Sequence, residues 1–105
     1  MTFGQIVAEA RKQAGLSQKD LAARIIKEDG APISPQYLND IERDRRNPPS
    51  EYLIGEFARK LNLDADYLYY VAGQMPQDLR DGSRRPEEVQ RAFVAFRKAL
   101  QTDQR

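Results

Sequence analysis

Apolar side chains recur three and four residues apart along most of this chain, the spacing that places them on one face of an α-helix. In the first segment the pattern comprises Phe3, Ile6, Val7 and Ala10, and it stops at Gly15. Later segments repeat the same spacing. The pattern therefore predicts an all-α fold whose helices cover, approximately, residues 2–14, 17–27, 34–42, 50–62, 64–72 and 86–101.

Short polar residues mark where the first three helices begin. Thr2 is a favourable N-cap, and Ser17 is followed three residues later by Asp20, which is the spacing of a capping box. Ser34 precedes Pro35, and proline is favoured in a first helical turn because no N–H partner is needed there. These signals predict that the second and third helices are short and start sharply.

The first five helices are expected to form one small domain, because a chain of 105 residues has room for a single core. The segment that follows contains Pro76, Gly82 and several charges, which indicates a linker with Met75 or Leu79 as candidate anchors. The predicted division is a five-helix domain at 1–73, a linker at 74–85, a C-terminal amphipathic helix at 86–101 and a tail at 102–105.

The chain contains neither Cys nor His. This composition excludes disulfides, thiolate or imidazole metal sites, and catalysis by Cys or His nucleophiles. The carboxylates form no tight cluster for a metal or an acid–base pair, so we expect no enzyme, no cofactor and no metal. No run of about 18 apolar residues and no signal-peptide pattern occurs, so we expect a cytoplasmic protein without a membrane partner.

Two short capped helices in tandem, followed by an arginine-rich turn, occupy residues 15–48. A helix pair of this kind holds one helix against DNA while the second enters the major groove. The chain carries 17 basic and 16 acidic residues, so a DNA-binding surface must arise from segregation of charge. We expect few phosphate contacts per subunit, with specificity resting on base contacts.

The third helix has a polar face that suits base recognition. With Leu38 and Ile41 facing inward, its polar side chains turn to the opposite side and the flanks. Gln36 can pair with adenine, Asp40 can accept from cytosine, and Arg43 can donate to guanine or to a phosphate. The alternatives are a merely solvated surface and an Asp40–Arg43 pair within the helix. The predicted base-contacting residues are Gln36, Tyr37, Asn39, Asp40 and Arg43.

Several motifs together carry a family resemblance. They are Arg11 before Gly15-Leu16, Ser17-Gln18 with Leu21-Ala22, residues 34–42, the Arg-rich turn ending in Asn47-Pro48, and Leu61 followed by Asp66-Tyr67-Leu68. Residues 3–73 thus resemble the helix-turn-helix domain of the phage repressor and Cro family, the xenobiotic-response-element type of bacterial regulator. The resemblance implies a phosphate contact at Gln18 and a structural ion pair between Arg11 and Glu42. The predicted phosphate-contacting residues are Gln18, Lys19, Ser34, Arg45 and Arg46.

One connection departs from the family pattern. The second and third helices of the family are commonly joined by a tight turn, whereas residues 27–33 add roughly six residues here. The extra residues either extend the second helix by a turn or form a loop beside the DNA backbone. Both conformations are compatible with the sequence.

The C-terminal helix carries an apolar stripe made of Val89, Phe93, Phe96 and Leu100. Two copies of such a stripe bury well against each other, and a dimer doubles the number of base pairs that are contacted. We therefore expect these four residues to form a homodimer interface. The alternative is that the phenylalanines pack on their own domain near Tyr69, Tyr70 or Met75.

Together these features predict a sequence-specific DNA-binding transcriptional regulator, in the form of a dimeric repressor at a palindromic operator in double-stranded DNA. A second hypothesis is a protein-interaction module, such as an antitoxin that binds a partner protein with the same helical domain. Replacement of Gln36 and Asp40 by Ala separates the two, because only the first hypothesis requires these side chains.

Overall fold

The computed structural model describes residues 1–80 and 82–102, and within them it confirms the predicted all-α fold. A short 3-10 helix, Gln77–Leu79, lies between the last two α-helices. The α-helices are α1 (Phe3–Gln13), α2 (Gln18–Arg24), α3 (Pro35–Glu42), α4 (Glu51–Leu61), α5 (Ala65–Val71) and α6 (Pro86–Thr102).

Side-chain caps set the starts of the first five helices. Thr2 and Ser17 both form capping boxes, in which the cap side chain and the N3 side chain each accept from the other residue's backbone N–H. Ser34, Ser50 and Asp64 each accept from the backbone N–H three residues on. Because each cap satisfies an N–H that the helix itself leaves unpaired, the five starts follow from local sequence.

The core lies where α1, α3 and α4 meet. Helix α1 packs against α3 and α4, α2 packs against α3, and α4 packs against α5. The rings of Phe3 and Phe57 meet edge to face, with centroids 6.1 Å apart. The largest fully buried side chains are Val7, Leu21, Ile25, Leu38, Ile41, Ile54, Phe57 and Leu68.

Helix α2 is shorter than predicted. It ends at Arg24, not near Lys27, because Ile25 adopts an extended conformation with φ −92° and ψ 105°. The carbonyl of Ile25 accepts from the backbone N–H of Ile33 at 2.9 Å, and both side chains are buried. Burying these two isoleucines side by side requires the chain to leave the helix at this point.

The connection between α2 and α3 is a tight hairpin and does not extend α2. Ile26 and Pro32 form an antiparallel bridge, and Gly30 supplies the turn with φ +89°. The buried Glu56 of α4 accepts from the backbone N–H of Ile26 at 3.0 Å. Glu28, near the hairpin tip, lines a groove together with α4 residues, so the hairpin lies against α4.

Polar contacts, not apolar ones, hold the segment after α5. The side-chain amide of Gln74 donates to the carbonyl of Pro49 at 3.1 Å, and Arg80 forms an ion pair with Glu51. The candidate anchors Met75 and Leu79 are 39% and 52% exposed, so that expectation is wrong.

Helix α6 is one residue longer than predicted, since it includes Thr102, and residues 103–105 of the predicted tail lie outside the described residues. All of its residues are exposed. The ring of Phe96 in α6 meets the ring of Tyr70 in α5 edge to face, with the two centroids 6.1 Å apart. Among the described helices, none is long and apolar enough to cross a membrane.

Candidate nucleic-acid interface

Helix α3 is fixed to the core by its apolar side and presents its polar side outward. Leu38 and Ile41 are 0% and 2% exposed. Gln36 and Arg43 are exposed, while Tyr37, Asn39 and Asp40 are half-buried. The structure therefore brings the five predicted base-contacting side chains onto one surface, and their contacts with DNA stay a prediction.

Gln36 and Asp40 form a hydrogen-bonded pair one turn apart on α3. The Nε2 atom of Gln36 donates to Oδ1 of Asp40 at 3.1 Å, and Nε of Arg46 lies 3.7 Å from Oδ2. The Arg46 guanidinium lies over the ring of Tyr37, 5.1 Å from its centroid. The alternative of an Asp40–Arg43 pair is wrong, because the Asp40 carboxylate faces Gln36 and Arg46, and Arg43 donates to Asn39.

A second set of hydrogen bonds joins α2 to α3. The Nε2 atom of Gln18 donates to Oδ1 of Asn39 at 3.2 Å and to Oε1 of Glu42 at 3.0 Å. Nε of Arg43 also donates to Oδ1 of Asn39, at 3.2 Å. Both amide hydrogens of Gln18 are thus used within the helix pair, which leaves its backbone N–H, in the first turn of α2, for the predicted phosphate contact.

The ion pair that the resemblance implies is present. Nε and Nη2 of Arg11 donate to the two carboxylate oxygens of Glu42 at 2.7 and 2.9 Å, and Nη1 donates to the carbonyl of Leu16 at 2.9 Å. The hydrogen bond to Glu42 raises the pKa of Arg11 above its ordinary value, while burial opposes the shift. The pair ties α1 to the end of α3 and orients that helix.

The remaining predicted phosphate-contacting residues lie in α2, at the start of α3 and after its end. Lys19, in the first turn of α2, and Arg45, after α3, are exposed. Ser34 caps α3 by accepting from the backbone N–H of Tyr37 at 3.0 Å, and its hydroxyl hydrogen can still be donated. Exposed basic side chains close to a polar helix can hold that helix in position on a phosphate backbone.

Asp20 is an acidic residue in the first turn of α2, next to Lys19. The backbone N–H of Ser17 donates to its carboxylate at 3.1 Å. This bond, together with the Ser17 hydroxyl, lowers the pKa of Asp20 below its ordinary value. Asp20 is therefore ionised at neutral pH and serves as a cap, and we assign it no contact with DNA.

Two residues that position the arginine-rich turn are not identified by sequence reasoning. Asp44 has a left-handed backbone with φ 57°, and its carboxylate accepts from the Thr2 hydroxyl at 2.6 Å and the Gly4 N–H at 3.2 Å. A Cβ on Gly4 would lie 2.3 Å from the carbonyl oxygen of Ile41. Only glycine lets α1 approach the end of α3 this closely. In the sequence, the presence of one acidic residue, Asp44, within the arginine-rich turn is the feature that could have indicated its structural role.

Across residues 1–80 and 82–102 there is no group of three or more His, Cys, Asp or Glu side chains placed to hold a metal ion.

Comparison with known proteins places this geometry in a family. The profile of the helix-turn-helix family matches residues 7–68, which include α2, the hairpin and α3. A solved structure described as the SinR protein/SinI protein complex contains a chain with a similar fold, at a TM-score of 0.53 and 20% identity, covering 98% of this chain and 95% of that chain. No curated protein sequence gives a significant match. The chain belongs to the helix-turn-helix family of the phage repressor and Cro type, a family of DNA-binding transcriptional regulators.

Proposed function

We propose that this protein is a sequence-specific repressor that binds a palindromic operator as a homodimer, with α3 in the major groove. The observation that carries the proposal is the polar outer face of α3. Five side chains able to contact bases stand on a helix whose other side is anchored by Leu38 and Ile41. A rigid helix with an exposed polar face is what base contacts in a groove require.

The basic residues around α3 give the electrostatic part of binding. Lys19 in α2 and Arg45 and Arg46 after α3 donate to phosphates and set the position of α3 along the duplex. Three such contacts per subunit give modest affinity for unrelated DNA, because non-specific binding grows with the number of phosphates neutralised. Preference for the operator then depends on the side chains of α3.

The stripe on α6 supports a homodimer. Val89, Phe93, Phe96 and Leu100 are each between 39% and 47% exposed, so a continuous apolar surface is left for a partner.

In an antiparallel pair of α6 helices centred on the stripe, Val89 of one helix faces Leu100 of the other, and Phe93 faces Phe96. Because the stripe matches itself under this two-fold symmetry, a second copy of the chain is the occupant we propose. A dimer of this kind presents two α3 helices to successive major grooves. Occupied operator DNA is then closed to RNA polymerase, which is the basis for proposing repression.

A second candidate is a different protein as the partner of the α6 stripe, and the same exposed apolar surface favours it. The solved structure with a similar fold is itself a complex of two proteins. In this case the chain binds DNA and is controlled by a partner that covers the stripe. The alternative differs from the first proposal in predicting a monomer when the purified chain is alone.

Selection from random duplex DNA at near-physiological salt tests the proposed function. We expect a palindrome whose half-sites are centred about 10 base pairs apart, the spacing of one helical turn. A single asymmetric half-site would support DNA binding but contradict the homodimer. Failure to enrich any sequence would contradict the proposed function as a whole.

A further inference from the structure

We propose that Asp40 is a positioning residue that fixes the side-chain amide of Gln36 for adenine and does not itself contact a base. The proposal rests on the proposed function and refines it, because it states which hydrogen-bonding pattern the operator must present. It also replaces the expectation that Asp40 accepts from cytosine.

The orientation of the Gln36 amide follows from the chemistry of its partner. An ionised carboxylate only accepts hydrogen bonds, so the atom of Gln36 that faces Oδ1 of Asp40 must be the nitrogen, at 3.1 Å. One N–H is used in this bond. The other N–H and the oxygen Oε1 remain, and one donor beside one acceptor is the complement of N7 and N6 on adenine.

Asp40 is itself held from its other side. Nε of Arg46 lies 3.7 Å from Oδ2, and the Asp40 side chain is only 19% exposed. The Arg46 guanidinium is placed in turn by the ring of Tyr37. Oδ1 faces the Gln36 amide and Oδ2 faces a guanidinium of the same chain, so the negative charge of Asp40 is partly balanced by Arg46, which lets an acidic residue stand on a surface that approaches phosphates.

The neighbours of Asn39 restrict its side-chain amide in a different way, because they use its oxygen and leave its nitrogen. Arginine only donates, so the atom of Asn39 that Arg43 contacts at 3.2 Å must be the oxygen, and Gln18 donates to the same oxygen. The amide nitrogen of Asn39 then offers two donors and no acceptor. Asn39 therefore suits a base edge that only accepts, such as O6 and N7 of guanine or O4 of thymine, and it does not suit the paired donor and acceptor of adenine.

The atoms that Gln36 and Asn39 have left for base contacts define the half-site that we expect. It has adenine opposite Gln36, guanine or thymine opposite Asn39, and no cytosine selected by Asp40. The test is selection from random duplex DNA, followed by affinity measurements on single-base variants of the selected site. The proteins are the wild-type chain, Gln36→Ala, Asp40→Ala, Asp40→Asn and the Gln36→Ala/Asp40→Ala double variant.

We expect Asp40→Ala to lower the preference for adenine at the same base pair as Gln36→Ala does, by about tenfold, which is within the range that one bidentate contact supplies. The double variant should lose no more than Gln36→Ala alone, because the two side chains act as one unit. Asp40→Asn keeps an acceptor for the Gln36 amide and should retain the adenine preference.

Glu9→Ala is the matched control. Nε2 of Gln13 donates to Oε1 of Glu9 at 3.3 Å, so this variant removes the same kind of amide–carboxylate pair and the same charge from α1. We expect its base preferences to equal those of the wild type, and circular dichroism confirms that each variant is folded.

Two results would overturn the proposal while leaving the proposed function intact. One is that Asp40→Ala changes the preference at a different base pair, where the wild type selects cytosine. The other is that Asp40→Ala leaves the adenine preference unchanged. A wild-type chain that selects no sequence would instead overturn the proposed function, and this proposal with it.

Discussion

Glu42 shows how much of the interface geometry depends on a single buried carboxylate. It accepts from two nitrogens of Arg11 on α1 and from the amide of Gln18 on α2. Its own helix, α3, carries the polar face. Three helices are thus joined at one residue, and the burial of the pair makes each partner costly to remove alone.

Replacement of Arg11 by Met is expected to destabilise the fold by about 3 kcal/mol, because Glu42 is left buried without its charged partner. Urea denaturation followed by circular dichroism measures the change. Arg24→Met, at an exposed position in the last turn of α2, is the matched control and should cost less than about 0.5 kcal/mol.

Replacing both partners, as Arg11→Met/Glu42→Leu, should be less damaging than the sum of the two single changes, since no lone charge remains in the core. Equal stability of Arg11→Met and the wild type would show that the ion pair does not hold α1 to α3.

At the scale of elements, the contact between α1 and the end of α3 sets where the arginine-rich turn lies. Asp44 is bonded to Thr2 and Gly4, and the two helices meet so closely that a Cβ on Gly4 would fall 2.3 Å from the carbonyl oxygen of Ile41. Movement at this contact would displace Arg45 and Arg46, which follow Asp44 directly.

Gly4→Ala is therefore expected to destabilise the protein by about 1–3 kcal/mol, the usual cost of overpacking, and to weaken DNA binding more than its stability loss explains. Thermal denaturation and DNA titration on the same samples measure both. Gly55→Ala is the control, because its Cβ would meet only the Tyr69 hydroxyl at an ordinary 3.7 Å and alanine favours a helix. Unaltered stability in Gly4→Ala would rule out a tight α1–α3 contact.

Local sequence sufficed to predict the helices and the polar face of α3, because caps such as Ser17 and Ser34 act within a few residues of themselves. It did not predict the hairpin before α3. That turn depends on a hydrogen bond from the backbone N–H of Ile26 to the carboxylate of Glu56, which lies 30 residues further along the chain. The pairing of Asp40 with Arg46 was not predicted for a similar reason, because it depends on the path that the chain takes after α3 ends.

At the scale of the whole molecule, α6 carries an apolar stripe that the other described residues leave exposed. Phe96 contacts Tyr70, yet it stays 47% exposed, and Phe93 is 41% exposed. A single contact of this kind leaves most of the stripe available. The oligomeric state of the chain therefore depends on what covers these side chains.

We expect Phe93→Ser to weaken the homodimer by about tenfold or more, as truncation of a central aromatic anchor commonly does. Sedimentation equilibrium of the purified chain measures the dissociation constant. Val94→Ser is the control, because Val94 lies about 130° around the helix from the stripe and is 54% exposed. A wild-type chain that sediments as a monomer would favour a different protein as the partner of α6.

The most direct test of the account compares the affinity of the wild-type chain and of Gln36→Ala/Asn39→Ala for the selected operator and for unrelated DNA of equal length. We predict that the ratio of the two affinities falls by about a hundredfold in the variant, while the affinity for unrelated DNA changes little. Gln13→Ala/Gln77→Ala, which removes two amides away from α3, should keep the wild-type ratio. A folded Gln36→Ala/Asn39→Ala variant with the wild-type ratio would contradict the claim that α3 recognises the operator.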